Sequence, residues 1–528
     1  MNYSLKPYLF FTLCCLIGMQ PVYSHAFAVN SASEIELKYP VLVETISQEH
    51  AHKSIWQDQS LREQFENQIL LLVLADISDD LAERYQALTE AAEENNWPGY
   101  EIIASDLLLF YMSYTQQIPA QGNSWLFGGR INHGIGTPSK ASIDAFFNAQ
   151  SNQQRLEYFQ ALQPASDQYT QLSQNLFDYY HKNRKKISIP EFTAFAKQGE
   201  NLEQKTLLLS RLQISGEISL ESKAYFEAQG EQLYSPELQN IIQFFQKRHG
   251  LKADGIIGAN TRFWLNISHQ ERLRLMALNI LRIQLWSVNK PRMVLVNIPN
   301  YTMEYWESGK KVFESKVIVG RLTRKTPLFS SKLDSIVFNP TWRVPTRIMR
   351  NDILPKALSD NDYFTDHRYD IIPNWRSKDV INPENIAWEN ITAANFPYKL
   401  RQQSGQSNAL GLYKFNTPNK NAIYLHDTPA KSLFDKQYRA YSSGCIRVQE
   451  SKKFAQLLMD KSGFSDQDFL SHHQLPETNV VALKKKITMF TMYQTVWVDE
   501  FGFTQFRKDI YNYDKLSKSR NAEKNFYF

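Results

Sequence analysis

Cysteine, basic runs and long apolar segments are all scarce in this chain of 528 residues. It contains three cysteines, and its net charge is a mild +5. The lysine run Lys484–Lys486 has only three residues, so we exclude specific nucleic-acid binding. No segment has the about 20 apolar residues that a membrane-spanning helix requires. The composition is that of a globular protein, and the length allows about two to four domains.

The N-terminal residues have the pattern of a secretory signal peptide. Lys6 supplies a weak positive charge, Tyr8–Met19 is mostly apolar, and Ala26-Phe27-Ala28 has the small residues of a cleavage site. A membrane anchor is the alternative, but the apolar run is shorter than a spanning helix. We therefore predict a signal peptide over residues 1–28, an exported chain that begins near Val29, and no transmembrane span after cleavage.

The scarcity of cysteine gives Cys445 a special position. Cys14 and Cys15 lie in the predicted signal peptide, so Cys445 is the only cysteine of the predicted mature chain. A single thiol in an oxidising compartment has no partner for an intramolecular disulfide and no second cysteine for a metal site. A lone cysteine is commonly a small buried apolar residue. The alternative, which the surrounding sequence favours, is a catalytic nucleophile.

The segment before Cys445 supplies a candidate base, His426. Residues 422–426 alternate in the manner of a strand, and a proline-containing break follows. Alternation puts Tyr424 and His426 on one face and Asp427 on the other. Asp427 is therefore poorly placed to orient the imidazole, and we expect a backbone carbonyl or a distant residue to do so. An imidazole beside a thiol accepts its proton or, when protonated, lowers its pKa.

A tight turn leads into Cys445. Gly444 permits this turn, and we predict that the amides of Gly444 and Cys445 point at a developing oxyanion, with Ser443 in the same turn. If a strand follows, Arg447 shares the face of Cys445 and is placed to bind a substrate carboxylate or to favour the thiolate. Tyr424 is a second predicted substrate contact. The pattern indicates attack of a thiol on an acyl carbon.

The remaining chain divides by its periodicity. Apolar residues recur at helical spacing in N-terminal segments such as Leu61–Ala75 and Tyr100–Tyr114. Residues 233–266 have the pattern of helix, turn and helix, and Glu271–Trp286 predicts an amphipathic connecting helix. From Met293 the alternation is that of antiparallel strands.

Strand periodicity is interrupted between residues 342 and 410. Residues 347–358 have a helical pattern, and the rest is an irregular segment rich in aromatic and polar residues, which is typical of a lid. A structural excursion with no part in binding is the alternative. Three alternating segments after Cys445 are predicted to complete the sheet: 479–483, 487–499 and 503–511.

The segment around Cys445 resembles the active-site signature of the L,D-transpeptidases with a YkuD-type catalytic domain. That signature has a His, a long gap, then Ser/Thr-His-Gly-Cys followed by an apolar residue and Arg or Asn. The resemblance makes His426 the general base and Cys445 the nucleophile. It makes Gly444 the glycine of the oxyanion turn and Arg447 the basic residue that follows. Ser443 departs from the pattern, since most members have a second His there, although the large periplasmic members also tend to have Ser.

Three further regions carry resemblances. The N-terminal helical part is similar to the scaffold of the large periplasmic L,D-transpeptidases, and residues 342–410 are similar to their capping subdomain. A third region resembles the three-helix peptidoglycan-binding module, whose pattern F-Q-x-x-x-G-L-x-x-D-G-x-x-G-x-x-T is matched by Phe245, Gln246, Gly250, Leu251, Asp254, Gly255, Gly258 and Thr261.

These resemblances imply a multidomain α+β protein. It has a helical N-terminal scaffold, a small three-helix peptidoglycan-binding module, and a mainly antiparallel β catalytic domain with an inserted capping subdomain. The predicted divisions are the signal peptide (1–28), scaffold (29–230), peptidoglycan-binding module (231–268), linker helix (269–292), catalytic domain (293–514, with the cap at 342–410) and a charged tail (515–528).

The resemblance also implies the reaction. Cys445 attacks a tetrapeptide donor at the L-centre of a diaminopimelate-like residue, releases D-alanine and forms a thioester, and the diaminopimelate amine of a second stem accepts the acyl group in a 3–3 cross-link. It implies a periplasmic enzyme that needs no metal or other cofactor, is acylated by carbapenems, and is able to associate with other wall-synthesis enzymes. Two alternatives remain open. One is carboxypeptidase or D-amino-acid exchange activity at the same site, and the other is a non-catalytic wall-binding scaffold.

Overall fold

The computed structural model describes residues 35–50, 55–131, 135–183, 189–230, 232–286, 291–360 and 362–515. The predicted signal peptide and residues 516–528 of the predicted tail lie outside these ranges. The described chain is helical in its N-terminal part and mostly β in its C-terminal part. Within the described ranges, no helix is long and apolar enough to cross a membrane.

The N-terminal part is built from helices that share one apolar core. Among the described residues they are α1 (Pro40–His50), α2 (Gln59–Leu74), α3 (Leu81–Glu93), α4 (Trp97–Trp125), α5 (Lys140–Phe147), α6 (Asn152–Leu162), α7 (Asp167–Lys182), α8 (Lys205–Ser215), α9 (Leu220–Ala228), α10 (Pro236–Arg248), α11 (Ala259–Leu265) and α12 (His269–Ile283).

Burial explains how these helices are arranged. Residues 103–114 of α4 are all buried, so α4 is a central helix with no solvent-facing side over these turns. Helix α10 begins in the expected way, with the Ser235 hydroxyl accepting from the Leu238 amide and Pro236 in the first turn. The apolar residues of α10, α11 and α12 belong to the same core as α1–α9. The predicted peptidoglycan-binding module is therefore packed firmly against the scaffold helices.

The C-terminal part contains the strands. They are β1 (Arg292–Asn297), β2 (Thr302–Glu307), β3 (Lys310–Gly320), β4 (Phe329–Phe338), β5 (Trp342–Arg343), β6 (Tyr369–Ile372), β7 (Lys399–Gln402), β8 (Tyr413–Asn416), β9 (Leu425–His426), β10 (Ala440–Ser442), β11 (Ile446–Val448), β12 (Asn479–Met492), β13 (Val496–Val498) and β14 (Thr504–Phe506). The helices among them are α13 (Thr346–Ile348), α14 (Leu354–Ala357), α15 (Tyr363–Asp366), α16 (Ser451–Lys461) and α17 (Asp466–Gln474).

Nine of these strands form the main sheet, in the order β10-β3-β11-β9-β8-β4-β12-β1-β2. Strand β2 also pairs with β3, so the sheet closes on itself and β10 is attached at its side. Most neighbours are antiparallel, while β1–β12, β3–β10 and β9–β11 are parallel. Helix α16 packs its apolar face, including Phe454 and Leu458, into the core of this sheet. The predicted mainly antiparallel catalytic domain is confirmed.

Residues 342–410, the predicted cap, have a sheet and a core of their own. Its sheet has the order β5-β7-β6, and its helical part runs through α13, a π-helix (Met349–Ile353) and α14. Apolar side chains such as Leu354, Phe364 and Leu400 fill its core. The predicted helix near residues 347–358 is confirmed, but the expectation of an irregular segment is wrong at β6 and β7. These strands are only four residues each, which is too short for a clear alternation.

The C-terminal hairpin corrects a second prediction. Strands β13 and β14 pair with each other and do not complete the main sheet. Their buried residues Val496, Val498 and Phe506 belong to the helical core, where the Phe506 ring stacks on His249 with ring centroids 5.2 Å apart. The alternation of apolar residues correctly predicts strands here, but it does not say which core their apolar face joins.

Candidate active site

The predicted site residues meet in the middle of the main sheet, where β9 lies between β8 and β11. His426 is paired with Arg447 of β11 and with Lys414 of β8. Paired side chains project from the same face of a sheet. Tyr424 and Cys445 lie just before β9 and β11. Besides burial, the Tyr424 side chain, Lys414 and Arg447 all act on the pKa of the Cys445 thiol, so the thiol lies on that face too. The structure therefore brings the candidate nucleophile, the candidate base and the predicted substrate contacts together.

Hydroxyl groups fix the turn before Cys445. Ser442 Oγ donates to the Cys445 carbonyl oxygen at 2.5 Å and accepts from the Gly444 amide at 3.1 Å. Thr326 Oγ1 donates to the Gly444 carbonyl oxygen at 2.8 Å. Gly444 has a φ of +120°, which other residues rarely adopt. The predicted tight turn at Gly444 is confirmed.

The same contacts correct the predicted oxyanion hole. The Gly444 amide donates to Ser442 Oγ, so the prediction that it points at an oxyanion is wrong for this conformation. Ser443, the other predicted turn residue, accepts a hydrogen bond from Arg324 Nη1 at 2.9 Å. Arg324 also pairs with Asp352 of the cap, so it links the turn to the cap. Sequence patterns do not predict such a link, because its partners are far apart in the chain.

The environment of His426 fixes its protonation. Its Nδ1 lies 2.5 Å from the Asp427 carbonyl oxygen, and because a carbonyl only accepts, Nδ1 carries the proton and Nε2 is free. Burial, and then the charge of Arg447, lower the pKa of His426 to about 3. The imidazole is therefore neutral at neutral pH, with an unprotonated nitrogen available. The prediction that a backbone carbonyl orients His426 is confirmed.

The Asp427 carboxylate lies on the other side of β9 and stabilises the fold. It accepts hydrogen bonds from the Leu412 amide at 3.0 Å and from Ser451 Oγ at 2.8 Å, and it pairs with Lys431. These contacts hold the backbone whose carbonyl orients His426. The prediction that the Asp427 side chain does not orient the imidazole is confirmed.

The Cys445 thiol is half-buried and neutral at rest. Burial raises its pKa, although a hydrogen bond from the Tyr424 side chain and two nearby cations act in the opposite direction. Sγ lies 3.9 Å from the Ala422 carbonyl oxygen. Within the described residues, no hydrogen bond joins Sγ to the His426 ring. The resting pair is therefore a thiol and a neutral imidazole, which suits proton transfer during attack better than a preformed ion pair.

Two residues of the site were not predicted. Lys414 places Nζ 4.5 Å from the centroid of the Tyr424 ring, and burial lowers its pKa. Trp342 of the cap lies close enough to the Tyr424 hydroxyl to act on its pKa, which burial raises. Lys414 could have been found from the sequence, because a lysine stands out between Tyr413 and Phe415 in a short apolar strand. No sequence pattern marks Trp342. Among the described residues, no group of three or more His, Cys, Asp or Glu side chains is placed to hold a metal ion.

Three regions of the chain match known family models. Residues 291–470 match the YkuD L,D-transpeptidase catalytic domain, and residues 43–176 match a scaffold domain. Residues 217–265 match the family described as "Putative peptidoglycan binding domain". The chain thus carries a catalytic domain of the YkuD L,D-transpeptidase family together with a peptidoglycan-binding domain. The last match includes α9, which the boundary predicted at residue 231 leaves in the scaffold.

Relatives and solved structures with similarity to this chain have related descriptions. A protein of Haemophilus influenzae, described as "Putative L,D-transpeptidase", is 28% identical over 480 residues, which are 91% of this chain and 79% of that protein. An L,D-transpeptidase structure from Mycobacterium smegmatis is 11% identical, and the match covers 38% of this chain and 58% of that one with a TM-score of 0.18. An L,D-transpeptidase structure from Stackebrandtia nassauensis is 14% identical, and the match covers 58% of this chain and 97% of that one with a TM-score of 0.19.

Proposed function

We propose that this chain is a cysteine-dependent L,D-transpeptidase that forms 3–3 cross-links between peptidoglycan stem peptides. The observation that carries the proposal is the placement of Cys445 and a neutral His426 on one face of the sheet, inside a YkuD catalytic domain. The peptidoglycan-binding domain of the same chain supports the substrate class. The wall polymer is the expected substrate, and the periplasm is the expected location of the exported protein.

In the first half of the reaction, Cys445 Sγ attacks the carbonyl carbon at the L-centre of the donor's diaminopimelate residue. His426 Nε2 takes the thiol proton as the S–C bond forms, because this nitrogen is unprotonated at rest. The tetrahedral intermediate then collapses, and the C–N bond to the terminal D-alanine breaks. His426 returns the proton to the departing amine, which leaves a thioester on Cys445.

Hydrogen-bond donors and cations near Cys445 are placed to stabilise negative charge on the substrate. With the Gly444 amide already bonded to Ser442, we assign the oxyanion to the Cys445 amide and the positive charge of Lys414. The buried Nε of Arg447 has no hydrogen-bond partner among the described residues. Such a group is costly to leave unpaired, and a substrate carboxylate would satisfy it.

In the second half, the amine of a neighbouring stem attacks the thioester. His426 accepts a proton from that amine, and the C–S bond breaks to regenerate the thiol. Water or a free D-amino acid in place of this amine would give carboxypeptidase or exchange activity at the same residues. The cap lies beside the site at Trp342 and is linked to the turn by Arg324, and we propose that it favours the cross-linking reaction by restricting access of water to the thioester.

The products of a purified reaction test the proposal. We expect the chain from Val29 onward, mixed with tetrapeptide muropeptides, to form dimers with the release of one D-alanine for each bond, as measured by liquid chromatography with mass spectrometry. Tripeptides without dimers would indicate a carboxypeptidase instead. A tetrapeptide pool that stays unchanged would contradict every catalytic form of the proposal and favour the wall-binding scaffold.

The neutral state of His426 predicts an unusual pH profile. A base with a pKa of about 3 stays unprotonated until the pH falls towards 3, so we expect kcat/KM to show no acid limb near pH 6.5. A histidine with an ordinary pKa of about 6.5 would instead lose roughly nine-tenths of its base form at pH 5.5. The measurement is kcat/KM for dimer formation between pH 4.5 and 8.

The pH measurement needs a control for stability. Because the unfolded chain binds a proton at His426 near pH 6.5 and the folded chain binds it only near pH 3, stability decreases as the pH falls from 6.5 towards 3. Thermal unfolding at each pH therefore defines the range in which the enzyme is folded. An acid limb centred at pH 6 to 7 in folded enzyme would show that His426 titrates normally and would refute this account of its environment.

A further inference from the structure

A polar groove of about 410 Å³ crosses the cap on the sheet formed by β5, β7 and β6. Three arginines and a single carboxylate line it: Arg343, Arg368, Arg401 and Asp370. Trp375 and Gln403 are also in the lining. The groove is open to solvent, as expected of a site for part of a larger ligand.

The charges of the groove are not balanced. Arg401 pairs with Asp370 at 2.8 Å, and Gln403 Nε2 donates to the same carboxylate at 2.8 Å. Arg368 Nη2 donates to the neutral Gln403 Oε1 at 3.3 Å. Neither Arg343 nor Arg368 forms an ion pair with a carboxylate of the described residues. The groove is therefore positively charged, with two guanidinium groups available to an anion.

The backbone at Arg368 is held in an uncommon conformation. Arg368 has a φ of +56°, which lies in the left-handed region that residues other than glycine rarely adopt. Hydrogen bonds from the Arg368 amide to the Thr365 carbonyl and from the Gln403 amide to the Arg368 carbonyl, both 3.0 Å, hold it there. Gly405 leaves room for the side chain, since a Cβ at that position would lie 2.7 Å from Arg368 Nη1. The fold thus keeps this guanidinium in the groove.

The groove lies next to the active site. Burial raises the pKa of the Tyr424 hydroxyl, and Cys445 and Trp342 of β5 lie close enough to act on it as well. Burial lowers the pKa of Lys414, and the charge of Arg343 lies close enough to add to this effect. Arg343 is the next residue of β5, and its guanidinium lies beside the Trp375 ring, with Cζ 5.8 Å from the ring centroid. The groove therefore borders the active site at Arg343.

We propose that this groove is a carboxylate-binding subsite for peptidoglycan stem peptides. Arg343 and Arg368 bind a carboxylate of the peptide, and the Trp375 ring contacts its apolar atoms. The proposal rests on the proposed function, since it names a part of the same substrate. The carboxylate belongs either to the acyl donor or to the amine-bearing acceptor, and the two halves of the reaction distinguish these sources.

Binding to an inactive chain tests the subsite directly. The probe is the stem tetrapeptide L-Ala-D-Glu-diaminopimelate-D-Ala, titrated calorimetrically into the full mature chain carrying Cys445→Ala. We expect Arg343→Ala with Arg368→Ala to raise its Kd at least about tenfold, because each charged hydrogen bond contributes strongly to binding. Arg350→Ala, which removes an exposed charge from the cap outside the groove, is expected to leave Kd within about twofold. An equal Kd for the double variant and the parent would overturn the proposal.

A charge-conserving variant separates binding from folding. Arg343→Lys with Arg368→Lys keeps the positive charge but loses bidentate geometry, and we expect an intermediate Kd and an unchanged unfolding temperature. The tetrapeptide with its carboxylates converted to carboxamides is expected to bind the parent and the double alanine variant with the same Kd. If the carboxamide shows the same loss of affinity as the free acid, the groove does not recognise a carboxylate and the proposal fails.

Turnover with Cys445 intact identifies the source of the carboxylate. If the donor occupies the groove, the double variant raises the tetrapeptide concentration needed for half-maximal thioester formation. If the acceptor occupies it, thioester formation is unchanged and the product shifts from dimer to tripeptide. Either result supports the subsite. Thioester formation and dimer yield that both match wild type would overturn the subsite while leaving the proposed function intact, whereas a wild-type chain without thioester would refute the function itself.

Discussion

Replacing Cys445 with alanine is expected to lower the rate of dimer formation by roughly a thousandfold or more, because it removes the atom that forms the thioester. The side chain is half-buried at the end of a constrained turn, so the loss of a single sulfur atom should leave the fold intact. Quantifying dimers over time by liquid chromatography with mass spectrometry measures the effect.

A matched variant separates the sulfur from the shape of the side chain. Cys445→Ser retains a small polar group, but a hydroxyl ionises far less readily than a thiol, and we expect a loss of similar size. Both variants should unfold at the wild-type temperature. Alanine-variant activity within tenfold of wild type would show that Cys445 is not the nucleophile.

Replacing His426 with alanine is expected to slow thioester formation by roughly 10²- to 10⁴-fold, which is the usual effect of losing a general base. The residual rate should rise with pH, because the thiol must then ionise without help and burial raises its pKa. The wild-type rate should be nearly flat over the same range. The measurement is the pH dependence of single-turnover acylation in both proteins.

A glutamine at position 426 controls for the lost volume of a buried ring. His426→Gln is able to keep a hydrogen bond to the Asp427 carbonyl oxygen but supplies no base at neutral pH. We expect its unfolding temperature to be close to that of wild type and its acylation to be as slow as in the alanine variant. Full activity in the glutamine variant would indicate that His426 only supports the fold.

Local sequence patterns predicted much of the fold. Long helices such as α2 and α4 have an apolar face or are apolar throughout. Helix α2 lies where the periodicity places it, whereas α4 includes the predicted segment Tyr100–Tyr114 but continues to Trp125. The antiparallel strands before Thr326 were likewise visible in the alternation of residues. The error at β13 and β14 has a physical reason, since alternation shows that a strand has an apolar face and not which core that face joins.

The residues of the central site could also be predicted from the sequence, because of how the strands around them pair. His426 ends β9 and Cys445 directly precedes the neighbouring strand β11, so alternation correctly put Arg447 on the face of His426, next to the thiol. The turn was harder, because the partner of the Gly444 amide is the hydroxyl of Ser442 and depends on a side-chain rotamer.

The contributions of the cap could not be predicted. Trp342 of the cap reaches the site, and Arg324 links the turn to Asp352 of the cap, through contacts between segments far apart in the chain. Neither residue has a local pattern that marks it. Arg343 and Arg368 look like ordinary exposed arginines in the sequence. Their common groove exists only once the short strands of the cap are paired.

The most direct test of the account is the intact mass of the protein after mixing with a carbapenem, which acylates an activated thiol without an acceptor stem. We expect wild type to gain the mass of the carbapenem, Cys445→Ala to gain none, and His426→Ala to gain it slowly. This result would identify Cys445 as a thiol that accepts acyl groups with the help of His426. Wild-type protein without an adduct, or an adduct that persists in Cys445→Ala, would contradict the account.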